Sequence, residues 1–366
     1  MRKPTAAKQS EPKGVAARAS SKAPNSARDT RKFRAPSSDE LPRVAGIASF
    51  LRLPVHDHPD QVPAVDVLLC GAPFDAGTSF RPGARFGPRA VREASALARS
   101  FSAALGVEVY DELRVADGGD IPLPAQDLES ALAAISQRAE SITRSGAICG
   151  LIGGDQTLTL AALRGIQRAK KKAFGILHID AQSNSLGAAK DPRIDQSSTL
   201  RHALEESLIR ADATLQIGVR GPYSSADELS FAHAHGFEIV SMDEVRWDLH
   251  SVIGQVRKLV QKGALYLSVD VSALDPAHAP GTAFPLPGGM NTWELQQILR
   301  ALVGAEIIGF DLVEIAPTYD PAGITALAGV SILHEILAAL ADTRRSGRPA
   351  PSSHHLPSRR GGRLSP

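Results

Sequence analysis

Short apolar runs that end in small or acidic residues recur along this chain, each followed by an amphipathic stretch, and that alternation fixes the fold class. The runs lie at 64–71 (AVDVLLCG), 147–152 (AICGLI), 174–180 (FGILHID), 214–219, 264–270 (ALYLSVD) and 306–312 (EIIGFDL). Between them the period changes to that of a helix. Leu128, Leu132, Ile135, Ala139 and Ile142 recur at three- and four-residue steps, with Asp127 placed as N-cap and Gly146 as C-cap. Similar stretches cover 88–105, 157–170, 199–209, 224–235, 292–303 and 323–341. Strands that are apolar on both faces and separated by helices predict a mostly parallel sheet covered on each side, a three-layer α/β/α domain.

In such a sheet ligands bind at the carboxyl ends of the strands. Here those ends read GGDQT (153–157), DAQSN (180–184), VDVSALDP (269–276) and DLVE (311–314). Carboxylates, amides and small residues therefore converge on one rim, where the site is expected.

The chain has 366 residues, enough for one large α/β domain. Its near-neutral charge hides a division. Residues 1–38 carry ten Lys/Arg against two acids, and 344–366 carry six Arg and no acid, so 39–343 is acidic. The organisation expected is a disordered basic tail (1–38), a globular domain (39–343) and a second disordered basic tail (344–366). The first tail is Arg- and Ser-rich like a transit peptide but lacks the amphipathic leucines of one. Neither tail has the interleaved aromatics of a nucleic-acid binder, so nucleic acid is not an expected partner. No run approaches the roughly 18 consecutive apolar residues of a membrane span, so no membrane association is expected.

Cys70 and Cys149 each stand in an apolar run, as buried reduced thiols of a cytoplasmic protein do. His178, inside an apolar strand, reads as a satisfied core residue. His56 and His58 read as loop residues, and His354 and His355 as solvated members of the tail.

Several segments resemble the ureohydrolase (arginase/agmatinase) family, in its agmatinase branch. GAPFDAGTSFRPGARFGPRAVREAS (71–95), DGGDIPL (117–123), IGGD (152–155), IDA (179–181), LQIGVRGP (215–222), DEV (243–245), the segment 267–282 ending in LDPAHAPGT, PGG (287–289) and FDLVEIAPTYDPAGITALA (310–328) follow in family order. The resemblance covers about 40–341. It implies an arginase-like fold and hydrolysis of a guanidino compound to urea and an amine. It also implies two divalent metals, usually manganese and sometimes nickel, held by two His and four Asp.

The sequence departs from the family at those ligands. In GGDH the histidine is Gln156. In DAHxD the first Asp is kept as Asp180, but the histidine is Gln182 and the last Asp is Asn184. In SxDxD, Asp270 is kept and the second Asp is Ser272. The two retained aspartates match those that bridge the metals. Amide and hydroxyl oxygens are weak ligands, so no metal is expected in this chain; if one binds, Asp180 and Asp270 hold it. Gln156, Gln182, Asn184 and Ser272 are instead expected to donate hydrogen bonds to Asp180 and Asp270. In the family segment HGTxFRRA the histidine is Gln196. In the loop PGTGTP a small residue is Phe284, while Glu314 matches the guanidinium-binding glutamate.

No catalytic residues are therefore expected, with Glu314 the one substrate-binding candidate. The reading that follows is a non-catalytic subunit, inactive alone. Its partner would be a catalytic ureohydrolase paralogue in a hetero-oligomer, trimer or hexamer, with Mn or Ni in that partner. The arrangement resembles the degenerate chain of heteromeric guanidine or biguanide (metformin-type) hydrolases, with a guanidino or biguanide compound as the ligand. A stand-alone agmatinase-like amidino hydrolase and a guanidino-ligand sensor are the alternatives.

Overall fold

The computed structural model describes residues 31–56, 58, 62–124, 127–186, 193–221, 223 and 229–347. Among these residues ten strands form: β1 (Val67–Ala72), β2 (Phe101–Ser102), β3 (Val107–Glu108), β4 (Val115–Asp120), β5 (Ile148–Gly153), β6 (Phe174–Ile179), β7 (Ile209–Val219), β8 (Glu238–Ser241), β9 (Leu265–Asp270) and β10 (Ile307–Val313). Eight of them make one parallel sheet in the order β4-β1-β5-β10-β9-β6-β7-β8, while β2 and β3 pair as a separate antiparallel ribbon. Consecutive strands β5 and β6 are thus parted by β9 and β10, which return late in the chain to fill the gap. This is a topological switch point, the place where loops at the carboxyl ends diverge and leave a crevice.

Helices cover both faces. One apolar core joins the sheet to α1 (Gly87–Ala94), α7 (Met242–Trp247), α8 (Leu249–Val260), α9 (Thr292–Arg300) and α10 (Ile324–Ser346). The other joins it to α3 (Leu128–Arg144), α4 (Thr157–Lys170) and α5 (Thr199–Glu205). Alternate residues of one strand serve opposite cores, Val67 and Leu69 one and Leu68 and Cys70 the other, which is why these strands read as unbroken apolar runs. Two short helices, α2 (Val109–Glu112) and α6 (Ser230–Ala234), complete the chain. The three-layer α/β/α fold is as expected.

The details differ where tertiary pairing overrides local pattern. The helix expected over 88–105 ends at Ala94, because the chain turns through a 3-10 segment into the β2–β3 ribbon. Strands β4 and β8, on the two sheet edges, carry no long apolar run. Asp127 does cap α3, accepting from Ser130 N at 3.1 Å. By length and apolar composition α10 could cross a bilayer, but 78% of its most apolar window is buried in the fold.

Residues 31–38, expected within the first tail, lie among the described residues. Residues 31–33 form a 3-10 turn, and Arg34 pairs with Asp111. At the other end α10 runs to Ser346 and Arg344 pairs with Asp66 at 2.8 Å. Residues 1–30 and 348–366, with His354 and His355, lie outside the described residues. Cys70 and Cys149 are free and buried; burial pushes the Cys70 thiol up to about 11.

Candidate functional site

The four central strands deliver the site. β5 leads into Gln156, β10 into Glu314, β9 ends on Asp270 and β6 leads into Asp180. Gln182, Asn184, Gln196 and Ser272 join them around one cleft, together with Thr282 and Phe284. Every expected site residue is therefore gathered in one place, Asp180 lying directly behind the lining.

Backbone geometry aims these side chains. Gly154 has φ +41°, and a Cβ there would stand 2.3 Å from the Phe74 carbonyl oxygen, so the GGD turn admits only glycine. Glu314 (φ 67°) and Asn184 (φ 49°) occupy the left-handed region, which costs about 1–2 kcal/mol for a residue with a Cβ. Strain of this kind concentrates where a side chain must point at a site. Glu314 N donates to Gly154 O at 2.9 Å. Its Oε1 accepts from Gln156 N at 3.0 Å, which ties the ends of β5 and β10 together.

Asp180 is fully engaged. Oδ1 accepts from Gln182 N at 2.9 Å and Ser272 Oγ at 3.0 Å, and Oδ2 accepts from Asn184 Nδ2 at 2.5 Å. Asp270 Oδ1 accepts from Ser272 N at 2.6 Å. Of the four donors expected on the two aspartates, the side chains of Asn184 and Ser272 take that role, and both act on Asp180. Gln182 contributes its backbone instead.

Gln156 belongs to a deeper network. Thr159 Oγ1 and Ser268 Oγ give their protons to Asp311 at 2.8 and 2.7 Å, and Tyr266 OH donates to the same carboxylate at 2.7 Å. With both hydroxyl protons committed, Gln156 must present its NH2 group to them, at 3.1 and 3.2 Å. Its Oε1 is thereby turned away, toward the cleft. His178, completely buried, is the core residue expected but also the hub between layers. Ser183 O accepts from Gln216 Nε2 at 2.6 Å and so holds that amide NH2 toward His178 Nδ1, 3.4 Å away. His178 Nε2 lies 3.3 Å from Asp180 Oδ2, 3.3 Å from Asn184 Nδ2 and 3.4 Å from Gln156 Nε2.

The site is acidic and buried. Burial, with Asp180 and Glu314 close by, pushes Asp270 well above the usual carboxylate range. Burial, then Asp155 and Asp180, does the same to Glu314. Burial also raises Asp155 and Asp311 to about 6. Arg220 is the cation beneath the aspartates, its guanidinium held by the carbonyls of Ser272 and Leu286 at 2.7 and 2.6 Å. Sequence reading overlooked Arg220, although it stands in the quoted segment LQIGVRGP.

The opening loop folds over this rim. Gly77 N donates to Asp155 Oδ2 at 2.7 Å, and Arg85 Nε donates to Asp75 Oδ1 at 2.5 Å. Phe80 from that loop meets Phe284, which lines the cleft, with ring centroids 6.0 Å apart.

Among the described residues, no three His, Cys, Asp or Glu side chains gather as a metal site. The oxygens of Asp180, which would have to bridge two ions, already accept three hydrogen bonds, and the flanking groups are neutral amides and a hydroxyl. This donor set does not fit a pair of divalent transition metals.

The arginase family profile matches residues 65–339. Guanidinobutyrase of Pseudomonas aeruginosa is 38% identical over 82% of this chain and 95% of its own length. Human mitochondrial guanidino acid hydrolase is 34% identical over 86% and 88%. Among solved structures, proclavaminate amidino hydrolase of Streptomyces clavuligerus superposes with a TM-score of 0.77 at 36% identity, over 82% of this chain and 99% of its own. A hypothetical agmatinase from Burkholderia thailandensis gives 0.76 at 32%, over 84% and 93%. The expected resemblance is thereby established, and the chain belongs to the arginase family of ureohydrolases, among its agmatinase- and guanidinobutyrase-like members.

Proposed function

We propose that this chain is a non-catalytic ureohydrolase subunit, which assembles with a catalytic paralogue and supports its hydrolysis of a guanidino or biguanide compound to a urea-type product and an amine. The observation that carries the reading is the state of Asp180. Asn184, Ser272 and the Gln182 backbone saturate it from inside the fold, so its charge is balanced without a bridging metal. Hydroxide generation in this family's manner needs the metals to lower water's pKa from 15.7 to about 7, and no side chain here replaces them. The fold around the altered site is meanwhile that of the family. In this reading Mn or Ni resides in the partner, and the assembly is a hetero-oligomer, trimer or hexamer. Metformin-type biguanides are the ligands suggested by analogy.

The second reading, a stand-alone amidino hydrolase, draws support from the relatives' names, since guanidinobutyrase and guanidino acid hydrolase are both hydrolases. Co-expression separates the two. The purified chain should bind no metal pair and release no urea from agmatine, 4-guanidinobutyrate or a biguanide. Together with a ureohydrolase bearing complete GGDH, DAHxD and SxDxD motifs, ideally from a neighbouring gene, it should copurify and raise that enzyme's activity. Urea release by the chain alone, blocked by a chelator, would overturn the proposal.

A further inference from the structure

Five buried side-chain oxygens that line the altered cleft have no hydrogen-bond partner: Gln156 Oε1, Asn184 Oδ1, Gln196 Oε1, Thr282 Oγ1 and Glu314 Oε2. Each belongs to a residue no more than 5% exposed. Orphaned acceptors are uncommon in native interiors, and a cluster of them in one cleft requires a common cause. Their orientation is imposed from behind. The Gln156 amide nitrogen is spent on Thr159 and Ser268, and the Asn184 nitrogen on Asp180, so both carbonyl oxygens are forced forward. The Asp195 capping box, Ser198 N to Asp195 Oδ1 at 3.1 Å, sets Gln196 at the start of a 3-10 turn on the same rim.

We infer that this cleft is an all-oxygen site for a single hard cation of the calcium class, bound in place of a catalytic metal pair. The donor types are those such an ion takes: amide carbonyls, a hydroxyl, and the carboxyl groups of Glu314 and Asp270. The absence of imidazole and thiolate from the lining argues against a transition metal. Size decides between an ion and an organic cation. The cleft is too narrow to seat even a water molecule. A desolvated ion is smaller than a water molecule, whereas a guanidinium group is larger and does not enter so closed a cleft. Magnesium, which keeps its waters and demands octahedral geometry, suits so closed a site less well than calcium. The ion's role would be structural, joining the ends of β5, β6, β9 and β10.

This inference rests on the loss of the catalytic metal pair, and its test separates the two. Full-length protein, stripped with chelator, is dialysed against Ca²⁺, Mg²⁺ or Mn²⁺ in separate arms, then assayed for retained metal and for Tm. The expected result is one Ca²⁺ retained per chain with a raised Tm. Gln196→Leu and Thr282→Val, which remove one orphaned oxygen each without touching Asp180, should weaken retention by about 10-fold while the circular dichroism stays unchanged. No retained ion and no Tm shift in any arm overturns the cation site and leaves the subunit proposal standing. Two Mn²⁺ per chain with urea release overturns both. A preference for Mn²⁺ over Ca²⁺, or a Tm shift given by agmatine in the absence of metal, also overturns the cation site.

Discussion

Asn184 donates from Nδ2 to Asp180 Oδ2 at 2.5 Å, across a four-residue loop in which Asn184 itself holds a left-handed backbone. The bond joins the two ends of DAQSN (180–184), the segment that resembles the family's second metal motif. Asn tolerates the left-handed conformation better than most residues, so a single substitution serves both the backbone and the carboxylate. Asn184→Ala should destabilise the fold by about 1–3 kcal/mol, since Asp180 Oδ2 then keeps His178 alone. Asn184→Asp should cost more at neutral pH, because it sets a second carboxylate against the first. Urea unfolding of the two variants checks the order, and an Asp variant as stable as wild type would contradict it.

Introducing the ligands that the resemblance implies tests the proposed absence of a metal pair. A fourfold variant, Gln156→His with Gln182→His, Asn184→Asp and Ser272→Asp, should bind Mn²⁺ about 100-fold or more tightly than any single variant, because the four groups act only as a set. Metal titration followed by urea assay gives the readout. A single variant matching the fourfold one would show that a metal site persists in the native chain.

The layers and the rim were legible in the sequence because both depend on local rules. Apolar runs such as AVDVLLCG and FGILHID can pack only between two helical layers, and acidic or amide residues at their ends can face only the rim. Edge strands β4 and β8 were not legible, since VADGGD and EIVS lack the apolar run that marks a strand buried on both faces. In the site, the gathering of Gln156, Asp180, Asn184, Asp270, Ser272 and Glu314 followed from their positions at strand ends. Their partners did not. Whether Gln156 turns its NH2 toward Asp180 or away from it depends on Thr159, Ser268 and Asp311, which come from α4, β9 and β10, and only the folded sheet brings these together.

Stability should carry a signature of Asp311. Burial outweighs the hydrogen bonds from Tyr266, Ser268 and Thr159 and raises its pKa from 3.8 to about 6 in the folded chain. An acid with a raised folded pKa stabilises the fold while protonated in it. Between about pH 4 and 6 the unfolded chain releases this proton first, so that stability is lost as pH rises through the window. The amount is about 3 kcal/mol, at about 1.36 kcal/mol per unit. Urea unfolding of wild type and Asp311→Asn across this range should show their difference shrinking by that amount as pH rises. A difference independent of pH would mean that Asp311 titrates normally.

Two glycines with positive φ separate backbone strain from steric closure. Gly236 has φ +80° and nothing within 4 Å of where a Cβ would lie. Gly236→Ala therefore pays only the left-handed penalty, about 1–2 kcal/mol. Gly154 has φ +41°, and its Cβ would meet the Phe74 and Ala72 carbonyl oxygens at 2.3 and 2.6 Å. Those atoms are backbone of the β1 end and the opening loop, held by the bond from Asp155 N to Phe74 O at 2.9 Å, and they cannot yield as a flexible side chain would. Relief requires β5 and the opening loop to part, which also moves the Glu314 N to Gly154 O bond. Gly154→Ala should thus cost about 3 kcal/mol or more, or prevent folding, while Gly236→Ala folds normally. Equal Tm losses in the two variants would mean that the GGD turn holds its shape through dihedral preference alone, with no steric demand from the loop above it.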